Sequence, residues 1–199
     1  MADLSFGIVA LGANLPLPGQ DPAETLRGAL GRLQDVPQVR VSAVSRIWRT
    51  PALPAGAGPD YANAVALIRT GLPAPAVLAV LHGIEADHGR DRSGGRWSAR
   101  VLDLDLIALD DLILPDADHL RAWIDLPPDR QRVLTPDQLI LPHPRLQDRA
   151  FVLAPLAEIA PGWCHPLTGR SVAQMRDALG PQALAGLVPM DGSDRPART

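Results

Sequence analysis

Two aspartates, Asp103 and Asp105, stand in the string RWSARVLDLDLIAL, Arg96 to Leu109. In an extended chain, Leu102, Leu104 and Leu106 point to one face and both carboxylates to the other. Strands avoid aspartate, and two like charges roughly 7 Å apart on one face repel each other. Such a pair suits Mg2+, which takes one or two carboxylates and completes its shell with water and phosphate. A solvated strand face would carry the same pattern, so the pair alone does not decide.

Its neighbours add weight. Arg90, Arg92, Arg96 and Arg100 fall within eleven residues just upstream, with Trp97 among them. This is either a solvated charged loop or the positive complement of a metal–polyphosphate complex, with an indole able to stack a flat ring. The segment LPHPRLQDRAF brings His143, Arg145, Arg149 and Phe151. A histidine among prolines is often a turn residue, yet this is again a set of phosphate donors beside an aromatic. Near the start, LGANL places Gly12 at a strand end, with the spacing of neither a Walker A loop nor a dinucleotide fingerprint. Cys164 and His165 are adjacent but lack a third ligand, which suits a structural role.

The elements that must position these groups follow from patterning. Ser5 to Leu11 is an apolar run that reads as a buried strand. Asp21, Pro22 and Glu24 form a helix start, with Leu26, Leu30 and Leu33 at helical spacing behind them. Val39, Val41 and Ala43 alternate as a strand running toward Trp48. Thr50 to Tyr61 is a Pro/Gly/Ala-rich loop, long enough to be functional. Ala62 to Ile68 reads as a strand, and Pro73 to His88 as a helix with Val77, Leu81 and Ile84 on one face. The order β-α-β-β-α-β, with a hairpin in its middle, gives an α+β, ferredoxin-like sandwich: a mainly antiparallel sheet with helices on one face. Residues 1–190 are expected to form a single domain with a polar, proline-broken excursion near 115–136. Short helices are expected at Ala150 to Ile159 and Val172 to Leu179, and a disordered tail at 191–199.

Composition narrows the partners. The 199 residues carry a formal charge of −3 and no lysine, so all 19 cationic side chains are arginines. Bulk charge therefore gives no grip on nucleic acid or anionic membrane, and a phosphate site must use guanidinium groups, backbone amides and metal. A single cysteine excludes an internal disulfide. The N-terminal stretch reads as neither a secretory signal nor a membrane span, so a cytoplasmic location is the expectation.

Taken in order, LGANL, RTPAL…PDYANAV, GRDRSGGRWSARVLDLDLIAL and LPHPRLQDRAFVLAPLAEIAP resemble the 6-hydroxymethyl-7,8-dihydropterin pyrophosphokinases of folate biosynthesis, over about Phe6 to Pro161. The resemblance implies transfer of the diphosphate of ATP to the pterin hydroxymethyl group, with AMP released. It implies two Mg2+ ions on Asp103 and Asp105. Arg90, Arg92 and Arg100 would act on the triphosphate, and Glu85, Trp97, Leu106, His143 and Arg149 would contact ATP. The pterin would lie between Trp97 and Phe151, its edge read by Asn63 and by groups at Thr50, Pro51 and Leu53, with Gly12, Tyr61 and Asp103 adjoining. Departures from the family pattern are the absence of a loop lysine, where Ser93 or Gly94 stands, and His82 in place of a glutamine near the adenine. The implied partners are small molecules only, with no nucleic acid and no membrane, acting on a monomer.

Two other readings compete. A two-metal nucleotidyltransferase or nuclease also uses paired aspartates, but usually with a third carboxylate. A non-catalytic nucleotide- or pterin-binding module would have no need of a metal clamp.

Overall fold

The computed structural model describes residues 4–17, 19–52, 58–89 and 101–190. Its frame is a six-stranded, antiparallel sheet. The strands are β1 (Ser5–Ala13), β2 (Val39–Val44), β3 (Trp48–Thr50), β4 (Tyr61–Thr70), β5 (Asp103–Leu109) and β6 (Val188–Pro189). The order across the sheet is β5-β1-β4-β3-β6, with β2 and β3 both pairing to β4. The expected second strand is therefore broken. At the break, the Ser45 hydroxyl accepts from the Val65 N–H at 3.0 Å while the Ser45 N–H donates to the Val65 carbonyl.

Helices α1 (Pro22–Gln34) and α2 (Ala74–Asp87) cover one face. The start of α1 is the expected capping box: the Asp21 carboxylate accepts from the Glu24 N–H and the Glu24 carboxylate from the Asp21 N–H. Leu26, Ala29 and Leu33 of α1 and Val77, Leu81 and Ile84 of α2 pack onto Val9, Leu11, Ala64, Leu102, Leu104 and Leu106. The leucine face of the opening string is thus core, as alternation requires.

The other face is also covered, contrary to the one-sided expectation. Helices α5 (Ala150–Ile159) and α6 (Val172–Ala178) bury Val152, Leu153, Leu156, Val172 and Met175 against Ile8, Ala10, Val65, Leu67 and Ile107. The reason lies in β4, whose Ala62 to Ile68 are buried without interruption. A strand apolar on both sides needs a layer on each. The 115–136 excursion folds into two short helices, α3 (Ala117–Ile124) and α4 (Pro128–Val133). Asp116 caps α3, and Leu120 is its buried anchor. The remaining helix, α7 (Gly180–Leu184), leads to β6. Among the described residues, no helix is long and apolar enough to cross a membrane.

Candidate active site

Register places the chemistry. Across three adjacent strands, Asp103 of β5 faces Gly12 of β1, which faces Asn63 of β4; Trp48 of β3 follows Asn63. Directly paired residues share a face, so this row lies on the α5 side of the sheet. One row further in, Asp105, Ala10 and Val65 are paired, and there the α5 layer begins. The aspartates therefore sit where the sheet emerges from beneath α5.

Gly12 makes the middle of that row flat. A Cβ at this position would stand 3.0 Å from Asn63 Oδ1. With strands about 4.8 Å apart, the gap from Asp103 to Asn63 is roughly 10 Å, enough for a flat heterocycle. Asn63 is oriented by its neighbour: its Nδ2 donates to Thr50 Oγ1 at 2.6 Å, and both residues are buried. Its carboxamide oxygen is the atom turned toward Gly12. Tyr61, paired with Thr50, is half-buried, and Pro51 is exposed.

On the other side of the row, β5 is held from three directions. Glu85 of α2 is fully buried, and its Oε1 accepts from the Leu104 N–H at 2.7 Å, between the two aspartates. Arg149 Nη1 donates to Asp105 Oδ2 at 2.7 Å. The register slips between Ile8 and Val9, so Ile107 has no partner on β1, and its carbonyl instead accepts from the His143 N–H at 2.7 Å. This bulge ties the His143 segment to the strand carrying the carboxylates.

His143 is a neutral imidazole. Lost solvation, then the Arg149 guanidinium, push its pKa down from 6.5 to about 3. Its Nδ1 accepts from the Arg145 N–H at 3.1 Å, so the ring proton sits on Nε2. Arg149 also lies 5.7 Å from the centre of the Phe151 ring, which is 39% exposed in the first turn of α5. One short segment thus presents a neutral donor, a guanidinium and a partly exposed aromatic ring.

The donor set bears on metal. Among the described residues, no three His, Cys, Asp or Glu side chains cluster as a protein cage. Two half-buried carboxylates on one strand face instead fit Mg2+ shared with phosphate and water.

The structure thus brings together Gly12, Thr50, Asn63, Glu85, Asp103, Asp105, His143, Arg149 and Phe151. Glu85 and Leu106, expected on the adenosine side, are buried at 0% and 3% exposure. The Leu106 side chain lies in the α1/α2 core, leaving its backbone on the outer strand of the sheet as the only part at the site's side. Glu85 faces the backbone of β5 rather than an open surface. Arg90, Arg92, Trp97, Arg100 and Leu53 lie outside the described residues. Sequence reading missed the bulge and the Asp105–Arg149 contact, which joins residues 44 apart. His165 is buried, its Nδ1 accepting from the Leu167 and Thr168 N–H groups, in keeping with a structural role.

A family profile described as 7,8-dihydro-6-hydroxymethylpterin-pyrophosphokinase (HPPK) matches residues 8–161. The chain belongs to the HPPK family. It is 35% identical over 169 residues to the 2-amino-4-hydroxy-6-hydroxymethyldihydropteridine pyrophosphokinase of Synechocystis, covering 84% of this chain and 73% of that protein. The Pseudomonas aeruginosa enzyme of the same name is 35% identical over 153 residues, covering 77% of this chain and 79% of its own. Among solved structures, an HPPK-DHPS in complex with substrates superposes with a TM-score of 0.60 at 12% identity, over 88% of this chain and 43% of that one. A Plasmodium falciparum HPPK-DHPS with pteroate gives 0.62 at 12% identity, over 89% and 43%. The chain spans less than half of those two proteins, and at such identity they show the shared HPPK fold alone.

Proposed function

We propose that this HPPK-family chain transfers the terminal diphosphate of ATP to the hydroxymethyl oxygen of 6-hydroxymethyl-7,8-dihydropterin, releasing AMP. The observation that carries the reading is the Asp103–Gly12–Asn63 row: metal-type carboxylates, a side-chain-free floor and an oriented amide across three neighbouring strands. The hydroxymethyl oxygen forms a bond to the β-phosphorus and loses its proton. The bond from that phosphorus to the bridging oxygen breaks, and AMP leaves with that oxygen.

The protein's part is positioning and charge. Asp103 and Asp105 would hold Mg2+, which when bound supplies charge neutralisation across the phosphates and polarises the β-phosphoryl group. Neutral His143 offers Nε2–H to a phosphate or ribose oxygen without adding charge. Arg149, which donates to Asp105 in this structure, would pair with phosphate where that carboxylate holds metal. Asn63 and the Thr50–Pro51 backbone would read the pterin's amide-like edge over Gly12, and Phe151 would cover one ring face. Trp97 on the opposite face, and Arg90, Arg92 and Arg100 along the triphosphate, complete the proposal from the family resemblance. No protein nucleophile is required.

Chromatography of the products from ATP, Mg2+ and hydroxymethyldihydropterin tests this. AMP and a diphosphorylated pterin are expected, whereas ADP with a monophosphorylated pterin would refute diphosphate transfer. A two-metal nucleotidyltransferase draws no support, since no third carboxylate joins the pair among the described residues.

A further inference from the structure

The family match ends at residue 161, yet the chain continues and returns to the sheet. Its last described strand, β6, lies against β3, the three-residue strand that delivers Thr50 and Pro51. On its inner edge, β3 pairs with β4 through Trp48–Asn63, Arg49–Ala62 and Thr50–Tyr61. On its outer edge it pairs with β6 through Trp48–Pro189 and Arg49–Val188. The Met190 N–H then donates to the Ile47 carbonyl at 2.7 Å, and Met190 packs against the α1/α2 core. At the other end of the segment, Gly186 has φ +78°, and a Cβ on it would come within 2.9 Å of Pro51 Cγ. Both the backbone conformation and the approach to Pro51 therefore call for glycine there.

We propose that Gly186–Met190 is a positioning latch for the pterin side of the site. It is anchored in the core at Met190, paired along the outer edge of β3, and seated under Pro51 at Gly186. This inference rests on the pterin reading given above. A three-residue strand held on one edge alone is short enough to fray, and Thr50 is its terminal residue. The Thr50 hydroxyl orients Asn63, so movement of β3 passes directly to the amide that reads the pterin edge. The latch touches neither substrate; it sets the height and tilt at which Thr50 and Pro51 are offered. Its loss should therefore fall on pterin affinity and leave the nucleotide side, built on β5 and the His143–Arg149 segment, largely alone.

Two variants test this by calorimetry: a chain ending at Ala185, and full-length Gly186→Ala. Pterin is titrated in the presence of Mg2+ and a non-cleavable ATP analogue, and the analogue is titrated separately. The truncation is expected to weaken pterin binding tenfold or more and Gly186→Ala threefold or more, with analogue affinity within twofold of wild type for both. Unchanged pterin affinity in Gly186→Ala, or equal weakening of both ligands, would overturn the latch. If the truncated chain does not fold, the full-length variant decides by the same criteria. Failure of the wild-type chain to bind pterin at all would instead overturn the functional reading on which the latch rests.

Discussion

Gly12→Ala isolates the floor of the site from its walls. The added methyl stands between Asp103 and Asn63, 3.0 Å from Asn63 Oδ1, so the carboxamide must yield by a few tenths of an ångström. It cannot yield freely, because its Nδ2 is bonded to Thr50. For stability, two effects oppose each other. Alanine in a strand gains about 0.5–1 kcal/mol over glycine, while crowding of a packed position costs about 1–3 kcal/mol. The net change is thus a loss of no more than about 2.5 kcal/mol, within the reach of a well-folded chain. Binding has no such offset. A methyl on the surface that a flat ring must lie against costs about 1–3 kcal/mol, or roughly 5- to 150-fold in affinity. Calorimetric titration of pterin, with Mg2+ and a non-cleavable ATP analogue present, reads the loss. A thermal melt of the same sample checks the fold. Pterin affinity within twofold of wild type, in a folded protein, would refute the placement of the ring over Gly12.

Other expectations concern the walls. Glu85→Ala leaves the Leu104 N–H buried without its acceptor, which should cost roughly 2–3 kcal/mol in urea unfolding and raise the Mg2+ concentration needed for turnover; an unchanged urea midpoint would contradict the contact. Arg149→Ala removes an ion pair whose side chains are 26% and 34% exposed, so stability should fall by less than about 1 kcal/mol while kcat falls at least tenfold. A large stability loss with intact kcat would reverse that assignment. His143 is held neutral, its pKa lowered to about 3 by lost solvation and by Arg149, and burial lowers that of His165 as well. Because both folded values lie below the unfolded 6.5, their contribution to stability is complete above pH 6.5 and is lost as pH falls below it, for His143 down to about 3. The urea midpoint should drop across that window, and the drop should shrink in His143→Gln and further in the double variant with His165→Gln. Identical acid slopes in all three proteins would contradict it.

Much of this arrangement is written locally. The Leu102/Leu104/Leu106 alternation sends both aspartates to one face, and Asp21 with Glu24 marks the start of α1; both need only neighbours in sequence. The second helical layer is not so written. Helix α5 is apolar on most sides, so its periodicity cannot say which face of the sheet it covers; only the unbroken burial of β4 requires it there. Strands of three and two residues, β3 and β6, are too short to show any period. Arg149–Asp105 is a pairing across 44 residues, which no local pattern announces. The family resemblance assigns Glu85 to the adenosine side; its contact with the Leu104 N–H, made across 19 residues, has no local pattern to announce it either.

The central claim is that Asp103 and Asp105 together carry the metal that engages ATP. Direct counting of bound Mn2+ by electron paramagnetic resonance tests it, with a non-cleavable ATP analogue present and Asp103→Asn and Asp105→Asn run beside the wild type. Two ions per chain are predicted for the wild type, with fewer and weaker sites in each variant whose melting curve remains cooperative. Two ions bound with unchanged affinity in both variants would contradict the account.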